Sequence, residues 1–146
     1  GFRDTATKYW VECTYATGVK TILAGGYRDI RGGTRWIGDL GWVYVTRGGV
    51  IETEPKSLLN EQFGPDEVHL LHSPGHFRNF LDCVKSRQET LTPCETAQRS
   101  TTPGHLGQIS MLLGRKIKFN PDTEEILGDE TAASMLGKSY RAPWKL

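Results

Sequence analysis

Residues 73–87 read SPGHFRNFLDCVKSR, and residues 92–95 read TPCE. Each stretch opens with a hydroxyl side chain followed by proline, a pattern typical of helix starts, because the N–H group that proline lacks has no partner at the first helical position. In the first stretch, apolar side chains recur at the three- and four-residue spacing of one helix face: Phe77, Phe80, Leu81 and Val84. The two stretches predict consecutive helices, the first packing its apolar face on a sheet.

The second predicted helix has marked ends. Thr92 as N-cap and Glu95 three residues later form the pattern of a capping box, which gives Glu95 a structural role rather than a catalytic one. The helix is expected to run to Gly114, which suits a C-terminal stop. Pro103 lies inside it, so we expect a kink or break near Thr101.

The rest of the chain supplies mostly strands. Alternating or β-branched runs between turn residues predict strands at residues 8–15, 19–24, 42–46, 50–53 and 116–120, with a hairpin over 36–42. A last helix is expected over residues 129–136. Short strands joined by turns indicate an α+β domain with a mainly antiparallel open β-sheet, helices packed on one face and the outer face available for oligomerisation. We expect one domain over residues 1–146.

Composition excludes several classes of protein. The 146 residues include 18 basic and 17 acidic side chains, and this balance predicts neither a nucleic-acid nor a membrane-surface partner. No apolar run approaches the roughly 20 residues of a membrane-spanning helix. Three cysteines without CxxC spacing, Cys13, Cys83 and Cys94, predict free thiols rather than a disulfide framework or a zinc site.

Several of these motifs, in this order, resemble a known family. The hairpin GDLGW at residues 38–42, the helix at residues 76–87, Pro93 with Glu95, and the tail RAPW at residues 141–144 are similar to the C-terminal α+β domain of the Gfo/Idh/MocA oxidoreductases. The resemblance covers nearly the whole chain. It is greatest to the planctomycete-type NADH-dependent dehydrogenases, in which the run NFLDCVKSR and a terminal RAPW recur.

The resemblance implies a parent enzyme that moves a hydride between NAD or NADP and a carbon of a sugar, inositol or related polyol. The glycine pairs at residues 25–26 and 32–33 do not form GxGxxG, and no helix is predicted after them to receive a pyrophosphate. The family's Glu-Lys-Pro is also missing, since residues 54–56 hold these residue types in another order. We therefore expect this chain to bind no cofactor, to be inactive alone and to pair with a separate Rossmann domain. The native N-terminus is not visible, and a cytoplasmic location is expected.

Two histidines are candidate substrate ligands. His76, near the start of the first helix, would reach an interdomain cleft there, where it could hydrogen-bond a substrate hydroxyl or act as an acid or base. The alternative is a surface histidine near a helix end. His105 follows Pro103, where a kinked helix would turn it toward the missing domain, and the alternative is a core or interface histidine.

Three arginines are further candidates. Arg28, Arg31 and Arg35 lie in a glycine-rich loop and could grip an acidic sugar or a phosphate through bidentate contacts. A solvated loop or an intersubunit contact is the alternative. No metal site is predicted, because a helix beginning at Pro74 would separate His69 and His72 from His76.

The aromatic residues suggest a partner surface. Trp42 and Tyr44 are separated by one residue and share a strand face, and exposed aromatics on a sheet favour association with a partner. We expect a homo-oligomer formed through this sheet face. The alternative function is a free-standing, non-enzymatic binding or oligomerisation module that stacks sugar rings on the sheet aromatics, Trp10 among them.

Overall fold

The computed structural model describes residues 5–144. These fall into two compact units, the first comprising residues 5–9 with 24–92 and the second residues 10–23 with 93–144. Helices and small, open antiparallel sheets make up both, so the predicted α+β class is confirmed. The strands form two-, three- and two-stranded sheets among the described residues, and not the single larger sheet that we expected.

The first hairpin joins β1 (Tyr9–Thr14) to β2 (Lys20–Gly25). Its turn is closed where the Tyr15 N–H donates to the Val19 carbonyl over 2.9 Å. Val11 and Cys13 are half-buried whereas the residues between and beside them are exposed, so the predicted alternation is confirmed. Burial raises the pKa of the Cys13 thiol, and all three cysteines are free.

The three-stranded sheet of the first unit consists of β3 (Thr34–Gly38), β4 (Gly41–Val45) and β5 (Ile51–Glu54), in that order. The predicted hairpin is present, with Gly38 opposite Gly41 and a two-residue turn. Gly41 has a φ of +142°, and a Cβ there would overlap the carbonyl oxygen of Glu54, so the turn requires glycine. A short 3₁₀ helix, Lys56–Asn60, follows the sheet and was not predicted.

The strand registers divide this sheet into two chemically different faces. One, the arginine face, carries Arg35, Ile37, Trp42, Tyr44, Glu52 and Glu54. The other, the uncharged face, carries Thr34, Trp36, Val43, Val45, Ile51 and Thr53. All the charged side chains of the sheet therefore lie on one side.

Helix α1 (His76–Ser86) begins two residues later than predicted. Neither Ser73 as N-cap nor Pro74 at the first helical position is correct, because Gly75 precedes the helix with a φ of +118°. The Ser73 hydroxyl accepts a hydrogen bond from the Gly75 N–H at 3.3 Å, so it stabilises the turn before the helix.

The apolar stripe of α1 is exposed, from 82% at Phe77 to 47% at Val84, and the expected packing of this stripe on the sheet is not seen. The opposite side of the helix is hydrogen-bonded to the segment that follows it, residues 89–91. The side-chain oxygen of Asn79 accepts from the Leu91 N–H at 3.1 Å, and the Cys83 thiol donates to the Glu89 carbonyl at 3.4 Å.

In the second unit, α2 (Cys94–Leu113) ends at Gly114 as predicted, with a φ of +62° there. The expected capping box is wrong: Pro93 is the N-cap, and no side chain caps it. Glu95 instead accepts from Arg99 one turn later, at 2.9 Å.

Of the kink or break expected near Thr101, the break is wrong, because α2 continues through Pro103, and the kink stays a prediction. In the turn before the proline, hydroxyl groups donate to main-chain carbonyls. Ser100 donates to Thr96 at 2.6 Å, and Thr102 donates to Gln98 at 2.9 Å. These bonds anchor side chains to the helix around the position where proline removes an N–H donor.

The last three elements of the described residues are β6 (Phe119–Asn120), β7 (Glu125–Ile126) and α3 (Glu130–Ser134). β6 and α3 are shorter than predicted, and β7 was not predicted. The core of this unit consists of Ile109, Ile126 and Ala132, with Leu106, Leu113, Ile117, Phe119 and Ala133 packed against them.

Candidate functional site

The arginine loop of the first unit, residues 25–35, folds onto the arginine face of the sheet. Arg31 donates two hydrogen bonds to Glu52, Nη1 to Oε2 at 2.8 Å and Nη2 to Oε1 at 2.9 Å. Its guanidinium carbon also lies 4.6 Å from the centroid of the Tyr44 ring. The fork of Arg31 is thus filled by a carboxylate of its own chain.

Tyr44 lies beneath this loop and is only 4% exposed. Its hydroxyl donates to the Gly32 carbonyl at 2.6 Å. Gly33 has a φ of +141°, and a Cβ there would lie 2.5 Å from the Val45 carbonyl oxygen and 2.9 Å from the Tyr44 ring. The loop can approach the strand this closely because position 33 has no side chain.

Arg35 covers the same aromatic pair from β3. Its guanidinium carbon lies 4.7 Å from the centroid of the Trp42 ring and 5.7 Å from that of Tyr44. The expectation that Tyr44 is exposed is therefore wrong, because both arginines and the loop cover it, while Trp42 is half-buried.

Electrostatics within this cluster stabilise the charged forms. The hydrogen bonds from Arg31 hold the pKa of Glu52 below its ordinary value, and the same bonds raise the pKa of Arg31. Both side chains keep considerable exposure, 54% for Arg31 and 41% for Glu52, so solvent screens the pair.

The three loop arginines are placed differently. All three are exposed. Arg31 is paired and Arg35 is stacked, whereas Arg28 forms no ion pair or side-chain hydrogen bond within residues 5–144. Arg28 is the loop cation with the greatest freedom to meet a ligand. A ligand-binding role for these arginines stays a prediction.

The two candidate histidines lie in different units. His76 is the first residue of α1 and is exposed, with its ring 5.7 Å from that of Phe77 in an edge-to-face arrangement. His105 is an exposed residue of α2, two positions after Pro103, and is not a core histidine. Their substrate-binding roles stay predictions.

The other histidines precede α1. The His69 ring nitrogen Nε2 lies 2.9 Å from the Gly64 carbonyl oxygen, within hydrogen-bond distance. The His69 ring packs edge-on against Phe63. Within residues 5–144, no three side chains of the metal-binding types come together.

The chain was compared with known proteins. The family model of the C-terminal α/β domain of the Gfo/Idh/MocA oxidoreductases matches residues 3–146. The chain belongs to this family. Neither the curated proteins nor the solved structures gave a match. Membership in the family identifies the chain as the C-terminal domain of an oxidoreductase.

Family membership agrees with the general features of the structure. In the described part of the chain, no helix has both the length and the apolar character needed to cross a bilayer. The short antiparallel sheets differ from the parallel, helix-covered sheet of a dinucleotide-binding domain.

Sequence reasoning missed the partner of Arg31. Glu52 is separated from Arg31 by 21 residues, and nothing in the sequence marks the two as neighbours.

A second missed pair lies in the other unit. Arg115 donates to Asp129 through Nε and Nη2, at 2.7 and 2.8 Å, and this pairing lowers the pKa of Asp129 to about 2. Asp129 also accepts from the Ala132 N–H at 3.0 Å and so caps α3. This pair holds the last helix to the end of α2 and is structural.

Proposed function

We propose that the chain is the substrate-binding and oligomerising half of an NAD(P)-dependent oxidoreductase that acts on a sugar, inositol or related polyol. The observation that carries the proposal is the family match over residues 3–146. On this proposal the hydride-transfer machinery belongs to a separate dinucleotide-binding domain, and the finer planctomycete-type assignment is part of the same proposal.

The glycine pairs of this chain support the assignment of the cofactor to another domain. A Cβ at Gly26 would overlap the Thr7 carbonyl, and Gly33 is held against Val45 and Tyr44. Strand β3 follows the second pair directly, so no helix N-terminus is presented to a phosphate. These glycines allow close packing of the backbone and do not fit a pyrophosphate.

Under this proposal His76 is the best-placed substrate ligand. An exposed imidazole at the start of α1 can donate to or accept from a substrate hydroxyl, because its two ring nitrogens offer a donor and an acceptor. His105 and the loop arginines are secondary candidates. Arg28 would meet an acidic group without first breaking an ion pair, as Arg31 would have to, or leaving an aromatic ring, as Arg35 would have to.

Oligomerisation through the arginine face is part of the proposal. Tyr44 cannot contribute its ring, but Ile37 is 79% exposed and lies opposite the half-buried Trp42. Leu40, at the tip of the hairpin, is 83% exposed. These three side chains form an apolar end of the face that is suited to a second copy of the chain. A monomer in sedimentation experiments at high protein concentration would contradict this assignment.

The proposal is tested by comparing the 146-residue chain with the full product of its native gene. We expect that product to carry a further domain of about 150 to 250 residues with a glycine-rich strand-to-helix turn. It should reduce NAD⁺ or NADP⁺ with at least one member of a sugar and polyol panel, whereas the chain alone should show no saturable NADH binding. Saturable NADH binding to the chain alone would overturn the assignment of cofactor binding to a separate domain.

The role of His76 is tested in the same full product. We expect His76→Gln to lower kcat/KM by at least about tenfold, the loss that corresponds to one hydrogen bond of about 1.4 kcal/mol. His72→Gln is the matched control, because His72 is also exposed and precedes α1. Equal activities of the two variants would remove His76 from the site. A product without NAD(P)-dependent activity would instead favour the binding-module alternative.

A further inference from the structure

A groove runs along the uncharged face of the sheet, at the end of β3 and β4. It has a volume of about 620 Å³ and is lined by Trp36, Val45 and Arg47, together with Thr34, Thr46 and the backbone of residues 32–33. The groove is shallow and open to solvent, so it would contact one side of a small ligand and leave the other side exposed. Trp36 is 58% exposed, so its indole is available along the groove.

Arg47 is the charged residue of this groove. Among residues 5–144, the ion pairs involve four other arginines, and Arg47 has no carboxylate partner. The side chains of β3, β4 and β5 on this face carry no charge. The field in the groove is therefore positive, and a bound ligand is expected to bring the negative charge.

The polar groups of the groove are hydroxyl and backbone groups. The Thr34 hydroxyl has no hydrogen-bond partner within the described chain, whereas the Thr46 hydroxyl donates to the Arg47 carbonyl at 2.7 Å. An indole face attracts the partially positive C–H groups on the flat side of a sugar ring. A guanidinium binds a carboxylate through two parallel hydrogen bonds.

We propose that this groove binds a sugar acid, a six-membered carbohydrate ring bearing a carboxylate. Trp36 stacks on the ring, Arg47 pairs with the carboxylate, and Thr34 with the neighbouring backbone meets the ring hydroxyls. The site is separate from His76 and from the arginine face, and it requires no cofactor. Its failure would leave the proposed oxidoreductase function intact.

The test is calorimetric titration of glucuronate, glucose and benzoate into the 146-residue chain. We expect saturable glucuronate binding that is about tenfold tighter than glucose binding, because one charge-assisted hydrogen-bonded contact separates the two ligands. Arg47→Gln should reduce glucuronate affinity to that of glucose and leave glucose unchanged. Trp36→Ala should abolish binding of both sugars, and Trp36→Phe, which keeps a ring, should restore part of it.

Matched controls are Trp144→Ala and Arg141→Gln, since both residues are exposed and lie outside the groove. Neither should change glucuronate affinity. No saturable glucuronate binding, or binding that is unaffected by Trp36→Ala or Arg47→Gln, would overturn the proposal. Benzoate that binds as tightly as glucuronate would also overturn it, because the ring hydroxyls would then contribute nothing.

Discussion

Replacing Gly107 with alanine tests how closely β1 and α2 pack in the second unit. Gly107 is buried in α2, and a Cβ there would lie 2.8 Å from one methyl carbon of Val11 and 3.1 Å from the other. Valine is stiff at χ1, so the methyl groups cannot turn away freely. Overpacking of this kind costs about 1–3 kcal/mol, whereas glycine to alanine in a helix gains about 1 kcal/mol.

The same helix provides the control. Gly104 lies three residues earlier in α2, and a Cβ there would meet nothing within 4 Å. Gly104→Ala should therefore stabilise the chain by about 1 kcal/mol. Gly107→Ala should leave the free energy of unfolding unchanged or lower it by up to about 2 kcal/mol.

Urea unfolding followed by circular dichroism measures the difference between the two variants, which we expect to be about 1–3 kcal/mol. Adding Val11→Ala removes the two methyl groups that a Cβ at position 107 would meet. In that background Gly107→Ala should become as stabilising as Gly104→Ala. If Gly107→Ala alone already stabilises as much as Gly104→Ala, then β1 does not lie against α2 at this point and the reasoning fails.

Two further predictions concern side-chain hydrogen bonds. Tyr44→Phe leaves the Gly32 carbonyl without its donor and should lower stability by about 1 kcal/mol, seen as a lower urea midpoint at unchanged slope; an unchanged midpoint would contradict it. Asp129 has a pKa lowered from 3.8 to about 2, so its contribution is present above pH 3.8 and is lost as the pH falls through 2. Arg115→Gln should return the pKa of Asp129 toward 3.8, so the variant should lose less stability between pH 5 and 2 than the unchanged chain. If thermal unfolding of the two proteins changes identically over that pH range, the assignment is refuted.

The sequence was sufficient where a local pattern determines the structure. Val11 and Cys13 alternate with exposed neighbours because a strand has a period of two residues, and Gly38 and Gly41 flank the predicted hairpin, with Gly41 at a φ of +142°. Helix starts were less reliable. At α1 the sequence predicts a start at Pro74 with Ser73 as N-cap, but Gly75 is the N-cap and the helix begins at His76. All three residues favour helix ends, so the sequence alone does not choose between them.

The candidate site shows the limit of local reasoning. The positions of the arginines could be read from the sequence, but their partners could not, because Arg31 meets a carboxylate 21 residues away on another strand. Tyr44 was expected to be exposed because its parity matched Trp42. Parity assigns a residue to a face, and only the course of the loop determines whether that face is covered.

Because Arg31 is already paired with Glu52, a ligand can bind this arginine only by displacing that carboxylate. A ligand carboxylate could not simply add to Arg31, since it would exchange for one that is already bound in the same bidentate geometry. Such exposed pairs contribute at most about 1 kcal/mol, but a free ligand also loses translational and rotational freedom on binding, so a single ligand carboxylate would not displace Glu52. A ligand would need further contacts with the chain before Glu52 is released to solvent.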